Sequence, residues 1–555
     1  MKRRLLVGLL SACALVASGL VGFAGCSSSS GVPAGTTDSG EMDVSALNDS
    51  GADSPENDSS NPMDSSTPID SGKDAAPTCP DGGTHLPPGF TQVTASAVDP
   101  SFGFGVSMAL DENDDPMFAY LAVAASVQTG AAPVGCVPST SPQGCDALYF
   151  TRWDPCAGAF TTPVVIDPVL NYYAGNAGTQ AVSIAYDRST KEIGIAYLKV
   201  FPTDPNWADS YDAIWLATRK SGQSSFATQQ VSDNERWGTT DVSNNDTPSL
   251  AMGGGHLYLA FTASFQAPGC AYDPCLRFAA SSSTPPPVDA GSEAGDDSGS
   301  GSGSDAGTDA GTDAAGPPPP HYFDLSYVTY APGGMGMLNP RSNSISVAVD
   351  SMGRPAVAAY QAPLTGYNTV LTYWRSDMAA AVTVTDTNNV QNDSVSLGMV
   401  FEGTSPRVAG LLTRDPFSAN AYNATYVSSP DDGTTWNAAQ PFVLSGGLGF
   451  YTSLATDGNG NEAFTSHYNG SANSPAEMDA GCGPDPFVSR SSNSGAAWSG
   501  CTLGAYNVDT NSQLSSGYGQ SRIAGKLAIA GSVEGNGATT LDGGGGYSVV
   551  YYQDP

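Results

Sequence analysis

The residues best suited to hold a ligand are aromatic rings beside a guanidinium: Tyr172 and Tyr173, Trp207 and Tyr211, then Arg236 and Trp237. Ring faces with a few polar groups suit a sugar or a peptide, although the same rings would also serve as plain caps on strand ends. Hydrolytic chemistry would need a pair of carboxylates a few ångströms apart. With 54 acidic residues many pairs are conceivable, and none is singled out by spacing. The chain has no nucleophile elbow, no histidine-based triad and no phosphate loop. Asp111-Glu112-Asn113-Asp114-Asp115 has the look of a calcium loop. It aligns with plain hairpins elsewhere in the chain, so a solvated turn is expected there. His85, His256, His321 and His467 are scattered and there is no C-x-x-C, which disfavours zinc. No metal and no cofactor is expected.

These side chains sit in a chain with a marked beginning. Lys2-Arg3-Arg4 precede an apolar run from Leu5 to Phe23, and Ala24-Gly25 lead to Cys26. The order is that of an export signal, and the stretch Val21 to Cys26 resembles a bacterial lipobox. That resemblance implies cleavage after residue 25 and lipid attachment at Cys26, hence a protein tethered to a membrane outside the cytoplasm, with the outer membrane as its expected place. An ordinary secretory signal cut nearby is the alternative. Beyond Cys13 and Cys26 eight cysteines remain, an even number that reads as disulfides in an exported chain. Proximity suggests Cys136 with Cys145, Cys270 with Cys275, Cys482 with Cys501, and Cys79 with Cys156. Eight cysteines allow about 105 pairings.

Residues 26–85 are Ser, Asp, Gly, Pro and Asn with few large apolar side chains, a composition that cannot bury enough surface to fold. A second such stretch, 281–320, interrupts the folded part. Formal net charge is −34, and these two segments hold about half of the negative charge beyond the signal. The remainder is still acidic with no basic run, which excludes nucleic acid as a partner.

The elements that position the candidates form a repeat. One phrase, Ser, apolar, small, often followed by Asp and a turn, recurs with its small residue at Ala109, Ala185, Ala251, Ala348, Gly398, Ala455 and Ala528. The spacing is unequal, which implies a unit of constant core with variable loops. Each copy alternates with period two, as a strand does. Three further short apolar runs follow in most copies, and four antiparallel strands per unit make a β-propeller blade. The fold expected is therefore all-β, a propeller over 86–555 with seven blades, or six if the final incomplete unit is not a blade. Phe90 to Thr94 reads as a spare strand that closes the ring in the last blade. In the third unit either Leu276–Ala280 or Leu325–Tyr330 could be the third strand.

Ser429-Pro430-Asp431-Asp432-Gly433-Thr434-Thr435-Trp436 lies at the turn between third and fourth strands, and Ser491 to Trp498 is a weaker copy with Asn493 for Asp. This S-x-D-x-G-x-T-W pattern resembles the Asp-box, or neuraminidase repeat, of the sialidase-like propellers. Asp431 can accept backbone N–H groups, Gly433 gives a permissive backbone and Trp436 can pack back between sheets; Ser429, Ser491, Asn493, Gly495 and Trp498 take the matching places. The box is read as structural. The resemblance implies a ligand site on the opposite face, where the two–three and four–one connections gather and where Tyr172, Tyr173, Trp207, Tyr211, Arg236 and Trp237 fall. It also implies that a sialidase would carry an early F/Y-R-I-P motif and an arginine cluster, and neither is recognisable here. A non-catalytic module binding glycan or protein is therefore expected, with a diverged exo-glycosidase as the alternative and a structural part of an envelope complex as a third class.

Overall fold

The computed structural model describes residues 83–93, 105–123, 146–167, 182–201, 211–232, 235–236, 246–263, 275–282, 321–327, 336–337, 345–363, 370–386, 397–413, 422–438, 440–441, 452–466, 487–502, 514–534 and 547–555. Among them there is no helix, and the strands form seven antiparallel sheets, one per blade of a β-propeller. Seven blades, not six, make the ring.

From the inner strand outwards, blade 1 is Val106–Leu110, Pro116–Val123, Asp146–Asp154 and Val164–Asp167, and blade 2 is Val182–Asp187, Glu192–Phe201, Tyr211–Arg219 and Ala227–Gln230. Blade 3 is Asp246–Gly253, His256–Ala263, Cys275–Ser282 and Tyr322–Tyr327, and blade 4 is Ile345–Val349, Pro355–Pro363, Val370–Arg375 and Val382–Asp386. Blade 5 is Leu397–Glu402, Ser405–Thr413, Tyr422–Ser428 and Gln440–Pro441; blade 6 is Ser453–Thr456, Glu462–Ser466, Phe487–Ser491 and Ser499–Thr502. In blade 7, Ser515–Tyr518, Leu527–Glu534 and Tyr547–Gln553 are completed by the N-terminal strand Gly89–Gln92, which pairs antiparallel with Tyr547–Gln553, Phe90 opposite Tyr552. The ring is closed by the N-terminal strand, as the sequence implied. The C-terminal stretch supplies three strands of that blade rather than two.

Apolar seams between neighbouring sheets hold the blades together. Between blades 1 and 2, Met117, Leu148 and Phe150 meet Ile184, Ile193 and Ile195; between blades 7 and 1, Phe118 and Tyr120 meet Ala528 and Tyr551. Phe118, Ile195 and Phe261 are fully buried, each contributing about 2 kcal/mol through apolar area removed from water.

The serine of the repeated phrase has a purpose visible only in three dimensions. Its hydroxyl oxygen accepts the N–H of the next blade's inner strand, one residue beyond that blade's own serine. Ile184 N donates to Ser107, Leu250 N to Ser183, Val347 N to Ser249 and Met399 N to Ser346, all at 3.0–3.1 Å. Ser516 N donates to Ser453 at 3.1 Å and Met108 N to Ser515 at 3.2 Å, which carries the seam round the closed ring. Inner strands converge too tightly for a shared ladder, and a short hydroxyl bridges the donors that would otherwise be buried unpaired.

This seam corrects two readings. In blade 5 the position of the serine is taken by Gly398, not Ser396, a slip of two residues that keeps every side chain on the same face. An added Cβ at Gly398 would stand 2.7 Å from Leu454 N, so blades 5 and 6 approach here more closely than a serine allows. In blade 7 the inner strand is Ser515–Tyr518, and the phrase around Ala528 belongs to the second strand. In blade 3 the third strand is Cys275–Ser282, and the later alternative is the fourth. That third strand extends two residues into the stretch read by composition as an insert, so 283–320 joins strands three and four.

Candidate functional site

Antiparallel order gives the propeller two unlike faces. One–two and three–four turns share the hairpin face, and two–three and four–one connections share the loop face. Hairpin connections are mostly short, as at Gly254–Gly255 and Gly403–Thr404; loop-face connections run over 124–145, 168–181, 237–245 and 467–486. Long connections on a rigid scaffold are where binding residues concentrate.

Of the six candidate ligand residues, Tyr172, Tyr173, Trp207 and Trp237 lie outside the described residues. The backbone places the other two. Tyr211 opens the third strand of blade 2 at its loop-face end, and Glu235–Arg236 pairs with that end so that Arg236 lies opposite Tyr211 in register. In the sequence Trp207 precedes Tyr211 by four residues and Trp237 follows Arg236 directly.

The Asp-boxes sit on the hairpin face, between third and fourth strands of blades 5 and 6. Ser429 Oγ accepts the N–H of Gly433 at 2.8 Å, and Asp431 Oδ1 accepts that of Thr435 at 2.7 Å. The N–H of Thr435 first, and then its hydroxyl at 2.8 Å, hold the Asp431 carboxyl below the usual range. Trp436 Nε1 donates to Gly433 O at 3.1 Å. The weaker copy repeats each contact: Gly495 N to Ser491 Oγ at 3.0 Å, Ala497 N to Asn493 Oδ1 at 2.9 Å and Trp498 Nε1 to Gly495 O at 3.0 Å. Asn keeps the acceptor oxygen, so the turn survives the change.

Each box also fastens its blade to the one before. Trp436 packs edge-on against Tyr373 of blade 4 at 5.2 Å, and Trp498 against Tyr426 of blade 5 at 5.0 Å. Gly433 has φ +85°, and a Cβ there would stand 2.3 Å from the Tyr373 ring. Any other residue must displace that ring and adopt a strained backbone.

The aspartate that closes the repeated phrase does similar work at the one–two turn. Asp111, Asp350 and Asp457 each accept the N–H groups two and four residues on through Oδ1, at 2.7–3.1 Å. Asp187 makes the shorter version with Ser189 at 2.8 Å. These are Asx turns, and they explain why the phrase ends in Asp.

The turn Asp111–Asp115 is not the solvated one expected. Asp114 is fully buried with φ +62°, and it accepts Arg188 of blade 2 at 2.8 Å and the N–H groups of Gln520, Ser521 and Ile523 of blade 7 at 2.9, 2.7 and 3.1 Å. Asp115 takes Arg522 at 2.9 Å. Burial opposes ionisation of Asp114, but Arg188 and the three amides outweigh it and hold the carboxyl below its ordinary value. One side chain thus joins blades 7, 1 and 2. The pattern continues round the ring: His321 of blade 3 reaches Glu192 at 2.9 Å, Arg354 of blade 4 reaches Asp432 at 3.3 Å, and Arg407 of blade 5 reaches Glu462 at 3.2 Å. Sequence reasoning missed this ring; its one signal was an arginine shortly after the turn aspartates, as at Arg188 and Arg354.

Cys156 is disulfide-bonded. Thr84 N donates to Pro155 O at 2.7 Å beside it, but Cys79, its suggested partner, lies outside the described residues, as do Cys26, Cys136, Cys145, Cys270 and Cys482. Cys275 and Cys501 lie in strands. Among the described residues no group of three or more His, Cys, Asp or Glu is placed to hold a metal ion.

No family model matches the chain, and no curated protein matches it in sequence. Solved structures similar to it include a Trypanosoma rangeli sialidase in complex with the inhibitor DANA, at 10% identity and TM-score 0.37, covering 68% of this chain and 55% of that one. A polysaccharide lyase is 11% identical with TM-score 0.42 over 83% of this chain and 91% of its own. A Penicillium chrysogenum α-L-arabinanase in complex with arabinobiose is 11% identical with TM-score 0.37, covering 68% and 93%. This chain spans little more than half the length of the trypanosomal sialidase. At these scores the propeller assignment rests on the seven sheets themselves, which make the chain an all-β, seven-bladed propeller.

Proposed function

We propose that this protein is an exported lipoprotein, tethered through Cys26, whose propeller binds glycan or protein at the loop face without turning its ligand over. The observation that carries the reading is the register of Tyr211 opposite Arg236 at the loop-face end of blade 2, flanked in sequence by Trp207 and Trp237. A guanidinium among aromatic rings orients a polar ligand while the rings cover its apolar face. The hairpin face supports the same assignment, because its Asp-box and turn carboxylates are engaged with backbone donors and arginines. Thr84, just before the closing strand, lies on the hairpin face, where its N–H donates to Pro155 O at 2.7 Å.

The test is to incubate the chain from Cys79 onward with a mixed glycan library and read both fractions by mass spectrometry. Selective retention of intact glycans is the expected result, weakened about tenfold or more by Trp237→Ala. Trimmed products would replace this reading with the exo-glycosidase. A blank on both counts would point to a protein partner.

A further inference from the structure

A cavity of about 580 Å³ opens on the hairpin face where blades 1 and 2 meet. Its size is that of a small-ligand site. Arg152 from the end of the third strand of blade 1 and Arg219 from the end of the third strand of blade 2 line it, with Lys220 beside them.

Six other arginines of this face are matched to carboxylates: Arg188 to Asp114, Arg354 to Asp350, Arg375 to Asp377, Arg407 to Glu402, Arg490 to Asp554 and Arg522 to Asp115. Among the described residues, neither Arg152 nor Arg219 has an ion-pair partner. This is unusual in a chain with 54 acidic and only 20 basic residues. The cavity's own acids are committed elsewhere. Asp111 and Asp154 accept backbone N–H groups of their own turns, Asp115 holds Arg522, and Glu112 is held by Tyr186 and Lys191.

Arg219 is fixed rather than loose. Its guanidinium carbon lies 4.7 Å from the ring centres of both Phe150 and Phe226, a stacking that leaves the N–H fork free at the plane's edge. Burial first, and then the like charge of Arg152, push it down to about 10, so it stays charged at neutral pH. Arg152 is exposed at the cavity's edge, near enough for its charge to act on Arg219. With no counter-ion the two repel, and an oxyanion between them removes the repulsion while giving both forks an acceptor.

We propose that this cavity binds an oxyanion, a carboxylate or sulfate group borne by a small ligand, between Arg152 and Arg219. It lies on the opposite face from the loop-face site and does not depend on it. The volume exceeds that of an inorganic anion, so an anionic sugar is expected to bind more tightly than free sulfate.

The test is titration calorimetry on the full chain with glucuronate, glucose as its neutral counterpart, and inorganic sulfate, at ionic strength matched with chloride. Saturable binding of glucuronate at one site, weaker binding of sulfate and none of glucose are expected. Arg219→Met keeps the apolar stem on Phe150 and Phe226, and Arg152→Gln keeps the polarity; each should weaken glucuronate at least tenfold. Without ligand, Arg152→Gln should match or exceed the parent in melting temperature, because it removes a repulsion and no ion pair. Absence of saturable binding by either anion would overturn the proposal. So would equal binding of glucose, affinity unchanged in both variants, or a melting temperature that falls sharply in Arg152→Gln.

Discussion

Asp114→Ala is expected to lower the stability of the propeller by about 3 kcal/mol or more, the largest loss of any single substitution on the hairpin face. Three N–H groups of blade 7 lose their acceptor, that of Ile523 in a buried bond and those of Gln520 and Ser521 in part-buried ones. An unpaired buried donor costs about 1 kcal/mol or more, and the ion pair with Arg188 is lost as well. Alanine also tolerates the left-handed backbone at this position less well than aspartate. Asp114→Asn retains an acceptor oxygen and loses only the charge facing Arg188, so it should cost roughly half as much. The pH dependence follows from the sign of the shift. The carboxyl is held below its unfolded value, so its contribution is complete above about pH 4 and is lost as pH falls through the depressed folded value. Denaturant midpoints measured from pH 7 to pH 2 should show that acid-side loss in the parent and a flatter profile in Asp114→Asn. Equal midpoints at pH 7 for parent and alanine variant would contradict the keystone role.

Removing the closing strand should do more damage still. A chain that begins at residue 94 lacks Leu86 and Val93, 3% and 7% exposed in the intact ring, and their burial alone contributes about 4 kcal/mol. It also loses the ladder between Gly89–Gln92 and Tyr547–Gln553 and the contact of Phe90 with Tyr552 at 4.9 Å. The exposed edge of Tyr547–Gln553 then offers unpaired backbone groups to other chains. The shortened chain is expected to aggregate on heating and to melt well below a chain that begins at Cys79. A synthetic peptide of residues 83–93 should restore part of the difference in trans. An unchanged melting temperature would show that the ring does not depend on this strand.

Much of the fold was legible because the repeat writes it several times. Ser107, Ser183, Ser249, Ser346 and Ser453 each mark an inner strand, and period two fixes which face each side chain takes. The reading slipped where the physics substitutes another residue for the same place. Gly398 replaces the serine where blades 5 and 6 close to contact, and Ser396 two residues earlier mimics it. Ser515-Ser516-Gly517 carries the seam of blade 7 without the apolar residues that marked the other copies, so the second strand around Ala528 was mistaken for it.

The turn chemistry of the Asp-box was legible because its contacts span four residues, from Ser429 to Gly433 and from Asp431 to Thr435. The ion-pair ring was not, since Asp115 and Arg522 stand 407 residues apart in the chain. Only the closure of the circle brings them together. The unmatched Arg152 and Arg219 could not be recognised before that ring was known, because an unpaired arginine is visible only against its paired neighbours. At the loop face the sequence supplied residue types, and the structure adds the pairing of Tyr211 with Arg236.

The most direct test of the central claim is a hydrogen-exchange footprint of the protein with and without the glycans it retains. Ligand at the loop face should slow exchange in residues 168–181, 202–210 and 233–245, and leave the turns at 111–115, 429–436 and 491–498 unchanged. Protection confined to those turns, with none in the long connections, would contradict it.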